Sequence, residues 1–553
     1  MRKKLLTVAL LLLPSVVGAA NYYVREDGTA ADKSEALGCM IASTAMSPAT
    51  ASSELYSADD VIYLCNDGGA ISTMITITSS GTSGHPIIYD GQPPGQSIPT
   101  IIDRNGGVGD GLYGTAKNNL TVRNLILREA ASYGLHLVQT STPAVTGITV
   151  ENVEALFNGL TGSYIEATSV LSTISGIRYS QCNFSDNGKH GADVKGNWSD
   201  VEYSYVTANR NGSLAAGHGL SSHPHVSSVT TGWTLVGGTI YSRSVSNDTV
   251  QKVIDRTGLA VLTHNDGAYA TLASGEWDQN STTLYINIGA DPAGKTISYV
   301  RGVASGIVYD HCTAEGNIAS VAGEGHGIAF DDGSAGGIIR YSTSRNNEGA
   351  GFQNQWGDNC TISDSLTTGN ALGGVRTTGY HDNFIISSVT SFQNTQHGIN
   401  LGSPAYTGTT IYNTISANNT LLGISGYAGL TAMTNTYNSL TYGNGSGSTN
   451  NVTNTGLITT ANPLLDAQGR PRLKSLYDAG TTQDNIYCGS GEPIGAYELC
   501  KGVSMPSPLW FLGMPDSYSL GGGKLRASAI PSGALQDGSE YLLDGTEYLE
   551  DGV

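Results

Sequence analysis

Short alternating segments recur through the middle of the chain, each introduced by a glycine. They read GLHLV at 134–138, GADVK at 191–195, GLSSH at 219–223, GIAFD at 327–331, GFQNQ at 351–355, GVRTT at 374–378, GINLG at 398–402 and GISGY at 423–427. The residue after the glycine is apolar: Leu135, Ala192, Leu220, Ile328, Phe352, Val375, Ile399 and Ile424. In an extended chain successive side chains point to opposite faces, so this position is buried and the second and fourth positions face outward. Alternation over four or five residues predicts short, half-buried strands.

Between these strands an asparagine returns at one turn: Asn158, Asn187, Asn211, Asn317, Asn347, Asn370, Asn394 and Asn419. Most gaps are 23 to 30 residues, and the long one, from Asn211 to Asn317, holds an insertion. Segments 175–188 and 305–317 align at Ile177 and Ile307, Tyr179 and Tyr309, and Cys182 and Cys312. A repeat near 24 residues, with three short strands in each, predicts a solenoid whose stacked coils share one core. Asparagine above asparagine gives each side-chain amide a partner in the next coil.

Composition narrows the picture. Gly is 73 of 553 residues, charged residues are 13% and hydrophobic residues 39%. Low charge with ample apolar content excludes a disordered chain, and this much glycine excludes a helical bundle. The formal net charge of −19 argues against a nucleic-acid partner, which needs a basic face. The opening MRKKLLTVALLLLPSVVGAA reads as a signal peptide over 1–20, with Arg2, Lys3 and Lys4 before an apolar run. The expected location is therefore secreted or periplasmic. That run is short for a membrane span, and no later stretch approaches one. Seven cysteines leave at least one free; Cys39–Cys65 and Cys488–Cys500 are candidate disulfides, and Cys182, Cys312 and Cys360 read as core residues.

The repeat over roughly 21–500 resembles the right-handed parallel β-helix proteins of the polysaccharide lyase, or pectate lyase-like, superfamily. Tyr22-Tyr23-Val24 with Asp27-Gly28-Thr29 looks like the first strand of that family. Asn462-Pro463-Leu464 through Arg470-Pro471-Arg472-Leu473 to Ile494-Gly495-Ala496-Tyr497-Glu498 looks like its last coil. The expected fold is all-β: a right-handed single-stranded parallel β-helix with a cap and first coils over 21–115 and the main helix over 116–500. An inserted β excursion at about 228–302 interrupts it. There Ser274–Trp277 and Thr283–Ile286 read as antiparallel strands, with Asn265-Asp266-Gly267 as a turn. Residues 501–553 form an acidic tail ending in two near-copies of one seven-residue motif.

Aligning the coils exposes candidate chemistry. The second position carries His136, Asp193, Ser221, Ala329, Gln353, Arg376 and Asn400; the fourth carries Val138, Lys195, His223, Asp331, Gln355 and Thr378. Neighbouring coils stack about 4.8 Å apart, so Asp193, Lys195, His223 and Asp331 share one outward stripe. Asp332, Trp356 and Asp358 lie just beyond the strand ends, and the register of Glu166 is open. In a charge-poor chain this stripe gathers Lys, His, Arg and several Asp.

Eliminating across a uronic acid needs a neutralised carboxylate, a base, and a proton for the leaving oxygen. The family resemblance implies Ca²⁺, held by Asp193, Asp331 and Asp332, with Lys195 as base, His223 assisting proton transfer and Arg376 clamping a carboxylate. His136, Gln353, Gln355, Trp356 and Asn400 are the expected substrate contacts. The expected function is a Ca²⁺-dependent lyase acting on an acidic polysaccharide, working as a monomer. Two alternatives stand. Ala216–Ser221 looks like the Gly-His-Gly segment of β-helix polygalacturonases, which hydrolyse, although their Asp-Asp pair is incomplete at Asp193. A non-catalytic adhesive solenoid is the other, supported by the tail and by 29 tyrosines. The histidines at 218, 326 and 397 occupy one turn position and read as stacked turn residues. C5-epimerisation begins with the same proton abstraction as elimination.

Overall fold

The computed structural model describes residues 19–455 apart from short stretches (141–144, 169–171, 215–216, 246–249, 258–259, 266–268, 281, 302–303, 320–323, 332, 380, 403–405, 427–433 and 438), together with 457 and 459. Most of the expected signal peptide, the expected last coil, the candidate Cys488–Cys500 disulfide, most of the expected 265–267 turn and the 501–553 tail lie outside the described residues.

The chain bends where its backbone turns left-handed. One coil runs through strands Ala192–Lys195, Trp198–Ser204 and Thr207–Asn209. Its corners are Gly196 (φ 105°), Tyr205 (φ 56°) and Arg210 (φ 53°). The three strands pair in parallel with Leu220–His223, Ala304–Asp310 and Thr313–Glu315 of the next coil. Repetition builds a 12-stranded sheet from the first strands and a 23-stranded sheet from the other two. The result is the parallel β-helix that the repeat predicts, of about 13 turns. Among the described residues no helix is long and apolar enough to cross a membrane.

The interior is filled by the position after each glycine, from Leu112 to Ile424, fully buried along the column. Tyr179, Tyr203 and Tyr309 stack inside at 4.5 and 5.0 Å between ring centroids. Cys182, Cys312 and Cys360 are buried and free, and Cys39 is joined to Cys65.

The asparagine column is continuous. Each Nδ2 donates to the Oδ1 of the next coil, from Asn158 to Asn187 (2.9 Å) and Asn211 to Asn317 (3.0 Å) through Asn394 to Asn419 (3.0 Å). Each Oδ1 also accepts the backbone N–H of the asparagine before it, as in Asn317 N to Asn347 Oδ1 at 3.0 Å. The strand-opening glycine is required by this column. A Cβ on Gly219 would stand 2.5 Å from the Gly327 carbonyl oxygen and 2.9 Å from Asn317 Nδ2.

The insertion spans strands from His225–Val229 to Ile297–Arg301 in an eight-stranded, mostly antiparallel sheet. The expected pair is present as Glu276–Asn280 against Thr283–Asn287. The sheet has its own core, including Val253, Trp277, Leu284 and Ile286. It leaves and rejoins the solenoid at one coil edge, since Trp198–Ser204 pairs directly with Ala304–Asp310. Ile254 and Val300 of the insertion cover Trp356 of the solenoid. Lys252 Nζ donates to Asp358 Oδ2 and to the Trp356 carbonyl, each at 2.9 Å.

Candidate active site

The 12-stranded sheet presents its outward side chains in register. One row runs Tyr113, His136, Tyr164, Asp193, Ser221, Ala329, Gln353, Arg376, Asn400. The second runs Val138, Glu166, Lys195, His223. It continues to Asp331, just past its strand, whose N–H donates to the Ser222 carbonyl at 3.1 Å. Glu166 therefore belongs beside Lys195.

A third row precedes the strands: His190, His218, His326 and His397. His190 Nδ1 accepts the His218 N–H (3.1 Å), and His218 Nδ1 accepts the His326 N–H (3.3 Å). His326 Nδ1 accepts the Ala350 N–H (2.8 Å), and His397 Nδ1 accepts the Leu422 N–H (3.2 Å). The stacked-turn reading of 218, 326 and 397 fits this arrangement. A neutral imidazole whose Nδ1 accepts must carry its hydrogen on Nε2. Neutrality follows from burial, which drives His190 and His218 well below the ordinary imidazole range, neighbouring imidazoles adding to it. Burial, with the Arg376 charge second, lowers His326 to about 3. The first two members lie inside the site, where His218 Nε2 is 3.3 Å from Asp331 Oδ2 and 3.6 Å from Glu324 Oε2.

His223 is the centre. Its Nε2 is 3.5 Å from Asp193 Oδ1 and 3.6 Å from Asp331 Oδ2. Both carboxylates are buried, at 2% exposure each, while the His223 side chain keeps 19%. Lys195 stands exposed between His223 and Glu166 in the same row. A second carboxylate–imidazole–carboxylate group lies upstream. His136 Nδ1 is 2.9 Å from Asp110 Oδ2, and its Nε2 is 3.6 Å from Glu166 Oε1. Burial opposes charging of His136, but the bonds to Asp110 and Glu166 outweigh it and raise its pKa. Glu166 is lowered, first by its bond to His136 against the opposing effect of burial, then by the Tyr164 hydroxyl, with His136 and Lys195 charge contributing.

Several sequence expectations change here. Asp193 and Asp331 point off the sheet but are packed among imidazoles rather than open to solvent. Trp356 is buried at 4% exposure beneath the insertion, so it offers no ring face to a sugar. Gln353 is also buried and donates Nε2–H to Thr378 Oγ1 at 2.7 Å. His136, Gln355, Arg376 and Asn400 remain partly accessible. Arg376 lies four coil steps from the Lys195 strand, about 19 Å along the axis, so the two serve different sugars. Asp332 lies outside the described residues. His190, Glu324, Tyr133 and Tyr164 escaped the sequence reading. His190 carried a usable signal, since it precedes Gly191 as His218 precedes Gly219.

The residues around Asp193 and Asp331 do not fit Ca²⁺. That ion takes six to eight oxygen ligands. Here the carboxylates face His223 Nε2, and Asp331 also faces the hydrogen-bearing Nε2 of His218. The imidazole ladder argues equally against a softer metal at His190 or His218, because an Nε2 that bears hydrogen has no lone pair to give.

No protein-family model and no curated protein sequence matches the chain. Among solved structures it is similar to the pectate lyase Pel9A, with a TM-score of 0.41 and 14% identity, covering 88% of this chain and 97% of that one. A rhamnogalacturonan lyase gives a TM-score of 0.36 at 12% identity, covering 90% and 99%. An alginate lyase from Paenibacillus gives 0.30 at 13% identity, covering 73% and 97%. The chemistry has to be read from this chain's own side chains.

Proposed function

We propose that the chain is an exported polysaccharide lyase that binds an acidic glycan along the outer face of the 12-stranded sheet and cleaves it by β-elimination without a metal. The observation that carries this reading is His223 held between two buried carboxylates with the exposed cation of Lys195 next to it in register. Lys195 stands exposed on the sheet face, in register between Glu166 and His223. That suits it to neutralise the sugar carboxylate, with His223 as the base, a reversal of the roles expected from the sequence. The imidazole takes the proton from the carbon beside the carboxylate. The electron pair forms a carbon–carbon double bond, the glycosidic carbon–oxygen bond breaks, and the imidazolium returns the proton to the leaving oxygen. Asp193 and Asp331 stabilise the imidazolium between these transfers, as a buried carboxylate does beside a catalytic histidine.

Inverting hydrolysis needs two carboxylates flanking the bond with room for water, about 6.5–9.5 Å apart. Asp193 and Asp331 are each buried against the His223 imidazole rather than open to a water, which favours elimination. The test is a panel of uronate polysaccharides followed by the ultraviolet absorbance of unsaturated sugar ends. Absorbance should rise equally with and without EDTA, and His223→Ala should lower the rate roughly 10²–10⁴-fold. New reducing ends without that absorbance, or full turnover in His223→Ala, would overturn the mechanism.

A further inference from the structure

Upstream of His223 the outward face changes character. Tyr133 stacks on Tyr164 at 4.8 Å between centroids, and His136 lies 4.4 Å from Tyr133 and 5.4 Å from Tyr113. Tyr113 and Tyr133 are half-exposed. Asp110 and Glu166 flank His136, and the Tyr164 hydroxyl donates to Glu166 Oε2 at 3.0 Å. Tyr164 is the backbone partner of Asp193, and Glu166 that of Lys195, so this patch begins one coil from Lys195 and two coils, about 10 Å, from His223.

We propose that Tyr113, Tyr133, His136 and Tyr164 with Asp110 and Glu166 form a subsite for a neutral sugar, so that the substrate places neutral sugars next to its uronic acids. This rests on the proposed lyase reading and narrows its substrate. The argument is one of charge and hydrogen bonding. An amphipathic aromatic group suits the C–H face of a pyranose. Ionised carboxylates only accept hydrogen bonds, so they recognise hydroxyls, which donate. A second uronate here would bring a carboxylate, with no hydrogen to donate, against two carboxylates balanced by one imidazole. Like charges at contact distance repel strongly in a half-buried site. Among the described residues of the two outward rows, the cations are Lys195 and, farther along, Arg376, which mark the positions for acidic sugars.

The test measures binding, so that turnover does not enter. Folded His223→Ala protein is titrated calorimetrically with a uronic-acid tetramer and with a panel of tetrasaccharides alternating uronic acid and neutral hexose. The expected result is at least tenfold tighter binding of an alternating tetrasaccharide. Glu166→Gln, which removes one charge at nearly constant shape, should shrink that preference; the half-exposed Tyr133→Ala serves if Glu166→Gln does not fold, and should weaken the alternating ligand. Equal or tighter binding of the pure uronate tetramer overturns the subsite and leaves the lyase reading standing. A preference that neither variant alters also overturns it. Binding of neither class to the sheet overturns both.

Discussion

An imidazole whose Nδ1 is engaged by a backbone N–H has one hydrogen left to give, and burial decides that it keeps it. His326 shows the thermodynamic side. Its pKa in the folded chain, about 3, lies below the ordinary histidine value of 6.5. The stability it contributes is therefore present above pH 6.5 and is lost as pH falls toward 3, while the unfolded chain gains a proton. His136 has the opposite sign. Its pKa is raised, so its contribution is complete below the ordinary histidine range and is lost as pH rises through its folded value. Thermal unfolding from pH 4.5 to 8.5 checks both. His326→Gln should flatten the acid limb of the Tm profile, and His136→Phe the alkaline limb. Unchanged limbs would show that neither group titrates as its surroundings dictate.

The coil is the unit in which most of the structure can be read. The asparagine column, the buried position after each glycine and the outward pair at the second and fourth positions are local patterns repeated about every 24 residues, and repetition turns them into register. Asn347 tests the column. Its Oδ1 accepts from both the backbone N–H and the Nδ2 of Asn317, and its Nδ2 donates to Asn370 Oδ1. Asn347→Ala should cost about 3 kcal/mol in urea unfolding, because it strands buried donors in the coil before it. A loss below about 1 kcal/mol would mean that water replaces the amide. Register alone placed Lys195 beside His223. It did not show what covers Asp193 and Asp331, because alternation gives a side chain its direction and not its neighbours. The contact between His218 and Asp331 crosses the whole insertion. The burial of Trp356 depends on Ile254, 102 residues earlier, and Val300, 56 residues earlier, and no pattern near Trp356 announces them.

In the whole molecule the insertion is a second cored sheet that uses the solenoid as its support. Replacing 226–300 with a short Gly-Ser linker should leave the coils paired, since strands 198–204 and 304–310 already touch. It should expose Trp356, red-shift its fluorescence and lower stability by about 2 kcal/mol, the value of burying one large apolar side chain. Loss of the β-sheet circular dichroism signal in that variant would show that the excursion is needed to fold the helix. The regular stacking also bears on how such a groove changes its reach. Each turn adds one member to every outward column and leaves the others in place. Duplicating a turn between the tyrosine patch and Lys195 would therefore move the binding and reacting positions apart by a single step, close to the length of one sugar. The architecture behaves as a ruler whose graduations are gained or lost singly, so the pattern of a glycan can be followed without redesigning the chemistry.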